Sequence, residues 1–85
     1  MIVRWREFAL DQLADKFVAA DPALRDAIER AVTYINETLA VDPVQGESRA
    51  RATQRAWFVN PVSVLFEVFP SDGLVVVQYF AMRRA

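Results

Sequence analysis

Apolar residues change their spacing along the chain, and each change marks an element. Ile2-Val3-Arg4-Trp5 alternates weakly and is β-prone, which predicts a short first strand over residues 2–5. From about Glu7 the repeat lengthens. Ala9, Leu13 and Phe17 stand four residues apart, with Leu10, Ala14 and Val18 beside them, and Asp11, Gln12, Asp15 and Lys16 fall on the other side. This is one face of an amphipathic helix, predicted over 8–19. Asp21-Pro22 restarts the helix. The aspartate carboxylate can accept from free N–H groups of the first turn, and proline at the first helical position forfeits no hydrogen bond. Leu24, Ile28, Ala31, Val32, Ile35 and Leu39 then form a stripe, with Arg25, Asp26, Glu29, Arg30, Asn36 and Glu37 around the rest. That predicts a helix over 22–40, ended by Asp42-Pro43, because the residue before a proline is pushed out of the α region. So few residues separate the two helices that they should form an antiparallel hairpin.

Val44 to Gln54 contains Gly46 and mixed polar residues, and is expected to be a loop long enough to carry function. At residue 55 the period shortens to two. Strands are predicted over 55–59, 62–69 and 74–82, joined at Asn60-Pro61 and by the turn Pro70-Ser71-Asp72-Gly73, whose glycine suits a positive φ. The order β-α-α-β-β-β predicts a single α+β domain spanning 1–85. Its two-helix hairpin packs on a small, mainly antiparallel sheet, and the lone first strand must pair with that sheet too. Leu13, Phe17, Leu24, Ile28, Ile35 and Val64 are the expected core. In the strand over 62–69, Val62, Val64, Phe66 and Val68 face one side, and Ser63, Leu65, Glu67 and Phe69 the other. Two helices cover one face only. The uncovered face keeps Leu65, Phe69 and one aromatic of the Trp57/Phe58 pair, of which Trp57 is taken as the candidate. That is more apolar surface than a solvated face carries, so a protein partner, a homodimer contact or the chain termini should cover it.

Composition narrows the chemistry. The 85 residues are 54% hydrophobic and 25% charged, enough for one small globular core. The longest apolar run, Leu74 to Met82, is of strand length and includes Gln78, so no membrane span is expected. Acidic residues soon after the N-terminus do not fit a signal peptide. There is no cysteine and no histidine. This removes thiolate chemistry, most zinc sites, the usual general base and every Ser-His or Cys-His triad, and it is compatible with a reducing cytoplasm. No cofactor or metal is expected. Asp11 and Asp15, one helical turn apart, lack a third ligand and read as a solvated face.

Charge is unevenly placed. Residues 1–47 hold five basic and nine acidic groups, a net of −4, whereas residues 48–85 hold five arginines and two acids, a net of +3. Arg49, Arg51 and Arg55 enter and begin the second predicted strand, and Arg83 and Arg84 follow the last. They are expected to converge on one cationic surface that receives a phosphate backbone or an acidic protein segment. RNA cleavage by 2′-hydroxyl attack would need a base, an acid and cationic clamps. The candidates are Glu67 or Tyr79 as base, with Arg55 and Arg83 as clamps. Against this stand a solvent-facing glutamate on the outer sheet face and a packed tyrosine.

Leu39-Ala40-Val41-Asp42-Pro43-Val44-Gln45-Gly46-Glu47-Ser48-Arg49, then Arg55 leading a strand, then Pro61-Val62-Ser63-Val64-Leu65-Phe66-Glu67-Val68, and finally Val75-Val76-Val77 through Arg83-Arg84, resemble the RelE/ParE superfamily of type II toxin–antitoxin systems, the plasmid-stabilisation type. The resemblance spans essentially the whole chain, and the order of elements carries much of it. It implies a toxin neutralised by a cognate antitoxin. RelE-like members cleave messenger RNA on the ribosome, and ParE-like members inhibit DNA gyrase. Arg55 matches the family's strand arginine, and Arg83 and Arg84 the basic end of the last strand. These imply catalytic roles for Arg55 and Arg83, with Arg49, Arg51, Arg84, Trp57, Leu65 and Phe69 binding nucleic acid or a partner. Ser63 and Ala81 depart from the pattern, standing where cleaving members often carry arginine and histidine. Two readings follow: a growth-inhibiting toxin, or a non-catalytic protein-interaction module of the same fold.

Overall fold

The first and last strands of this chain pair in parallel at one side of its sheet. The computed structural model describes residues 1–49, 51 and 53–83. It contains β1 (Ile2–Trp5), α1 (Glu7–Ala19), α2 (Pro22–Val41), β2 (Glu47–Ser48), β3 (Gln54–Val59), β4 (Val62–Phe69) and β5 (Leu74–Met82). The predicted helices and strands are all present, with ends within one residue of those expected. The exception is β2, a two-residue strand inside the expected loop. The five strands form one sheet in the order β1-β5-β4-β3-β2, in which β1 runs parallel to β5 and the other neighbours are antiparallel.

Local signals act where the sequence puts them. The Asp21 carboxylate accepts from the Leu24 N–H at 2.8 Å with Pro22 in the first turn of α2. Arg25 stitches the helical hairpin: its guanidinium donates to the Phe17 and Val18 carbonyls at 2.9 and 3.0 Å, which satisfies groups the end of α1 leaves free. Gly73 closes the β4–β5 turn at φ 61. Gly46 (φ 67) lets the chain approach β3, since a Cβ there would collide with the Ala56 carbonyl.

Both helices lie on one face of the sheet. Ile28, Ala31, Ile35 and Leu39 of α2 pack with Val62, Val64 and Phe66 of β4 and Val75, Val77 and Phe80 of β5. β1 reaches only as far as Val77 along β5. Beyond it α1 takes over the edge, and the Gln12 side-chain oxygen accepts the Phe80 N–H at 2.9 Å. A strand edge is thus covered and its donor satisfied.

Three expectations for the core need correction. Leu24 is exposed, because it sits in the first turn of α2 beside Asn60 and Pro61 at the rim of the molecule. Leu13 and Phe17 are only partly buried. α1 serves the border of the sheet, so Ala9 is buried while Leu10, Ala14 and Val18 face solvent. Ile28, Ile35 and Val64 are buried as expected.

Candidate functional site on the open face of the sheet

The face without helices is set by strand alternation. On β3, Gln54, Ala56 and Phe58 stand opposite Glu67, Leu65 and Ser63 of β4. The register of β5 slips between Leu65 and Phe66. Leu65 faces Tyr79 and Phe66 faces Val77, which leaves Gln78 as an extra residue. Such a bulge points two successive side chains to one side. Gln78 and Tyr79 both take the open face, while Phe80 returns to the core.

Two shallow hollows share this face. One, of about 670 Å³, is bordered by Arg49, Gln54, Ser63, Leu65, Tyr79 and Ala81, among others. The second, of about 490 Å³, is bordered by Arg6, Phe8, Arg51, Glu67, Gln78 and Tyr79, among others. The Phe8 and Tyr79 rings meet edge to face at 5.5 Å.

A polar chain runs between the hollows. Gln54 Nε2 donates to Gln78 Oε1, Gln78 Nε2 donates to Glu67 Oε1, and the Thr53 hydroxyl donates to Glu67 Oε2, each at 2.9 Å. The Arg51 guanidinium lies 4.0 Å from Glu67 Oε1. The Thr53 hydrogen bond, chiefly, holds the Glu67 carboxyl below the usual carboxylate range. The Gln78 amide and the charges of Arg51 and Arg6 act the same way against the opposing effect of burial. Glu67 is therefore a carboxylate at neutral pH with both oxygens already engaged. That suits a fixed negative charge and not a general base.

The expected site residues divide between two faces. Arg49, Arg51, Leu65 and Phe69 belong to the open face, Leu65 and Phe69 partly buried. Arg83 joins it at one end, its guanidinium carbon 5.0 Å above the Phe58 ring. Arg55 does not converge with them. It stands opposite Phe66 on the helix side and donates to the Gln45 carbonyl (2.7 Å), the Gly46 carbonyl (3.0 Å) and the Ser48 hydroxyl (3.1 Å), clamping the segment that carries β2. Trp57 also lies on the helix side, opposite Val64 and 5.9 Å from the Tyr34 ring, so Phe58 takes the open-face place expected of it. Arg84 lies outside the described residues.

Arg6 and Gln78 are among the open-face residues that the sequence pattern does not single out. Arg6 comes from the acidic half of the sequence. The parallel register Trp5↔Val77 sets it beside Gln78, and its N–H donates to the Val77 carbonyl at 2.9 Å. Gln78 had a signal, as a lone amide in an apolar strand, but its role depends on the bulge. Among the described residues no group of three His, Cys, Asp or Glu is placed to hold a metal, and no helix is long and apolar enough to cross a membrane.

By sequence, no family model and no curated protein matches the chain. By structure, it is similar to a chain of the RelBE2 toxin–antitoxin complex from Mycobacterium tuberculosis, with a TM-score of 0.71 and 17% identity over 95% of this chain and 88% of that one. It is similar to a chain of the chromosomal ParDE system from P. aeruginosa, with a TM-score of 0.70 and 15% identity over 99% and 97%. The isolated RelE toxin of E. coli gives a TM-score of 0.64 and 11% identity over 99% and 85%. The likeness is one of fold: this chain has the α+β fold seen in RelE and ParE toxin structures.

Proposed function

We propose that the chain is the toxin component of a type II toxin–antitoxin pair, neutralised by a cognate antitoxin, and that it inhibits its target by binding rather than by cutting RNA. The toxin half of this reading is supported by a fold match that runs the full length of the chain and nearly the full length of its structural neighbours. The single observation that favours binding over cleavage is the state of Glu67. RNA cleavage needs a group free to take a proton and another to give one. The Glu67 carboxylate already accepts hydrogen bonds from Thr53 and Gln78 and its pKa is lowered, chiefly by the Thr53 bond, which weakens it as a proton acceptor, and the chain has no histidine. Arginines supply charge but are poor bases. Of the two targets the resemblance offers, DNA gyrase suits a binding mode better than messenger RNA on the ribosome.

Induced expression with a growth readout tests the reading, with cellular RNA integrity and plasmid supercoiling followed in the same cultures. The expected result is growth arrest relieved by co-expressed antitoxin, with intact transcripts and altered supercoiling. Transcript cleavage that Arg49→Ala or Arg83→Ala abolishes would transfer the chain to the RNA-cutting mode. A folded protein that arrests nothing would leave the interaction module as the better reading.

A further inference from the structure

We infer that Glu67 is a built-in anion: it occupies the phosphate-accepting position of the open face and makes that face selective against nucleic acid. The inference rests on reading the open face as the binding surface. Around Glu67 the fold gathers what a phosphate oxygen seeks: the Thr53 hydroxyl, the Gln78 amide, the Arg51 guanidinium and, on the same hollow, Arg6. In the described structure these donors are turned on an internal carboxylate. The acid is fixed while its cation is loose. Glu67 is 8% exposed and hydrogen-bonded through both oxygens, whereas the Arg51 side chain is 69% exposed.

That asymmetry decides what can be displaced. An arriving phosphate could draw Arg51 toward itself, because a long exposed arginine reorients at little cost. It could not move Glu67, whose strand and two partners fix it. Phosphate would then bind beside a carboxylate, and like charges at such range in a partly desolvated site repel strongly. Removing the charge and keeping the shape should raise the affinity for a polyanion by about tenfold at low salt. The amide of Gln54 extends the same chain through Gln78, so the whole ridge is committed to Glu67.

The test uses a short single-stranded RNA oligonucleotide titrated into the full chain at low ionic strength. Glu67→Gln is isosteric and can still accept from Thr53. It should bind about tenfold more tightly than the unsubstituted chain, with a steeper loss of affinity as salt is added. Adding Arg51→Ala to that variant should abolish the gain. Equal affinity with and without Glu67→Gln would overturn the inference. Should Glu67→Gln not fold, the unsubstituted chain still answers, through sulfate titration followed by NMR at the Gln54 and Gln78 side-chain amides. No saturable shift is expected, and a saturable shift at millimolar sulfate would overturn the inference. Both measurements are independent of growth. Failure here leaves the toxin reading standing, and absence of growth arrest leaves the internal-anion result standing.

Discussion

Phe66 and Glu67 are neighbours on β4, both withdrawn from water, and withdrawn by opposite means. Phe66, fully buried, is enclosed by apolar side chains of α2 and β5 on the helix side. Glu67, on the other face, is enclosed by hydrogen bonds from Thr53 and Gln78. Packing is non-directional and gains in proportion to area, so the helix side is built for stability. A hydrogen-bonded carboxylate acts through a few directional bonds that replace bonds to water, and it fixes a charge in place. One face therefore holds the molecule together, and the other presents a defined pattern of donors, charges and rings. The pair of arginines on β3 and beside it repeats the lesson. Arg55 is spent on the fold, and Arg49 is left for recognition.

Three substitutions probe that division. The largest effect is expected from Phe66→Ala, which removes a large side chain from the fully buried layer and should cost about 3–5 kcal/mol in chemical denaturation. A loss within error would mean that the helix side is not the stabilising side. Next comes the arginine pair. Arg55→Ala strips donors from the Gln45 and Gly46 carbonyls and the Ser48 hydroxyl, and should cost roughly 1.5–3 kcal/mol, as loss of a charged hydrogen-bonding group does. Arg49→Ala should stay within about 0.5 kcal/mol of the unsubstituted chain. Equal losses at the two positions, read from denaturation midpoints, would erase the distinction drawn between them.

The smallest effect is one of pH. Glu67 has a folded pKa lowered below the ordinary value of 4.5. Its contribution to stability is fully present above the unfolded value and is lost as pH falls through the folded one. The unsubstituted chain should therefore lose more stability than Glu67→Gln on acidification below about pH 4.5, while the difference between the two stays constant above it. Parallel curves across the acid range would show that the open-face network does not favour the charged carboxylate.

Much of this arrangement was legible in the sequence because hydrophobic period is set by local geometry. Stripes at three and four residues located α1 and α2, and alternation located β3, β4 and β5. What escaped depends on pairing. Alternation says that Trp57 and Phe58 lie on opposite faces, but only the register Trp57↔Val64 says which one is covered. β2 is two residues long, too short for any period, and exists because Gly46 lets it approach β3. Arg6 reaches the site through a parallel pairing with a strand far away in sequence. Gln78 and Tyr79 share a face because of a bulge, which breaks the very alternation used to assign faces. Leu24 carries the right period and lies where no sheet remains to receive it.

The pairing of β1 with β5 also orders events in time. Ile2 pairs with Leu74, and β5 is the strand on which β1, β4 and α1 all converge. The earliest segment of this domain cannot find its place until the latest has left the ribosome. Closing so long a loop is slow, because entropy must be surrendered before contacts reward it. A growing chain that lacks β5 has no partner for β1 and no second wall for the core. Arg6, Arg51, the glutamine bridge and Tyr79 form a single surface only after β5 docks. Whatever the open face binds, it binds only once β5 is in place.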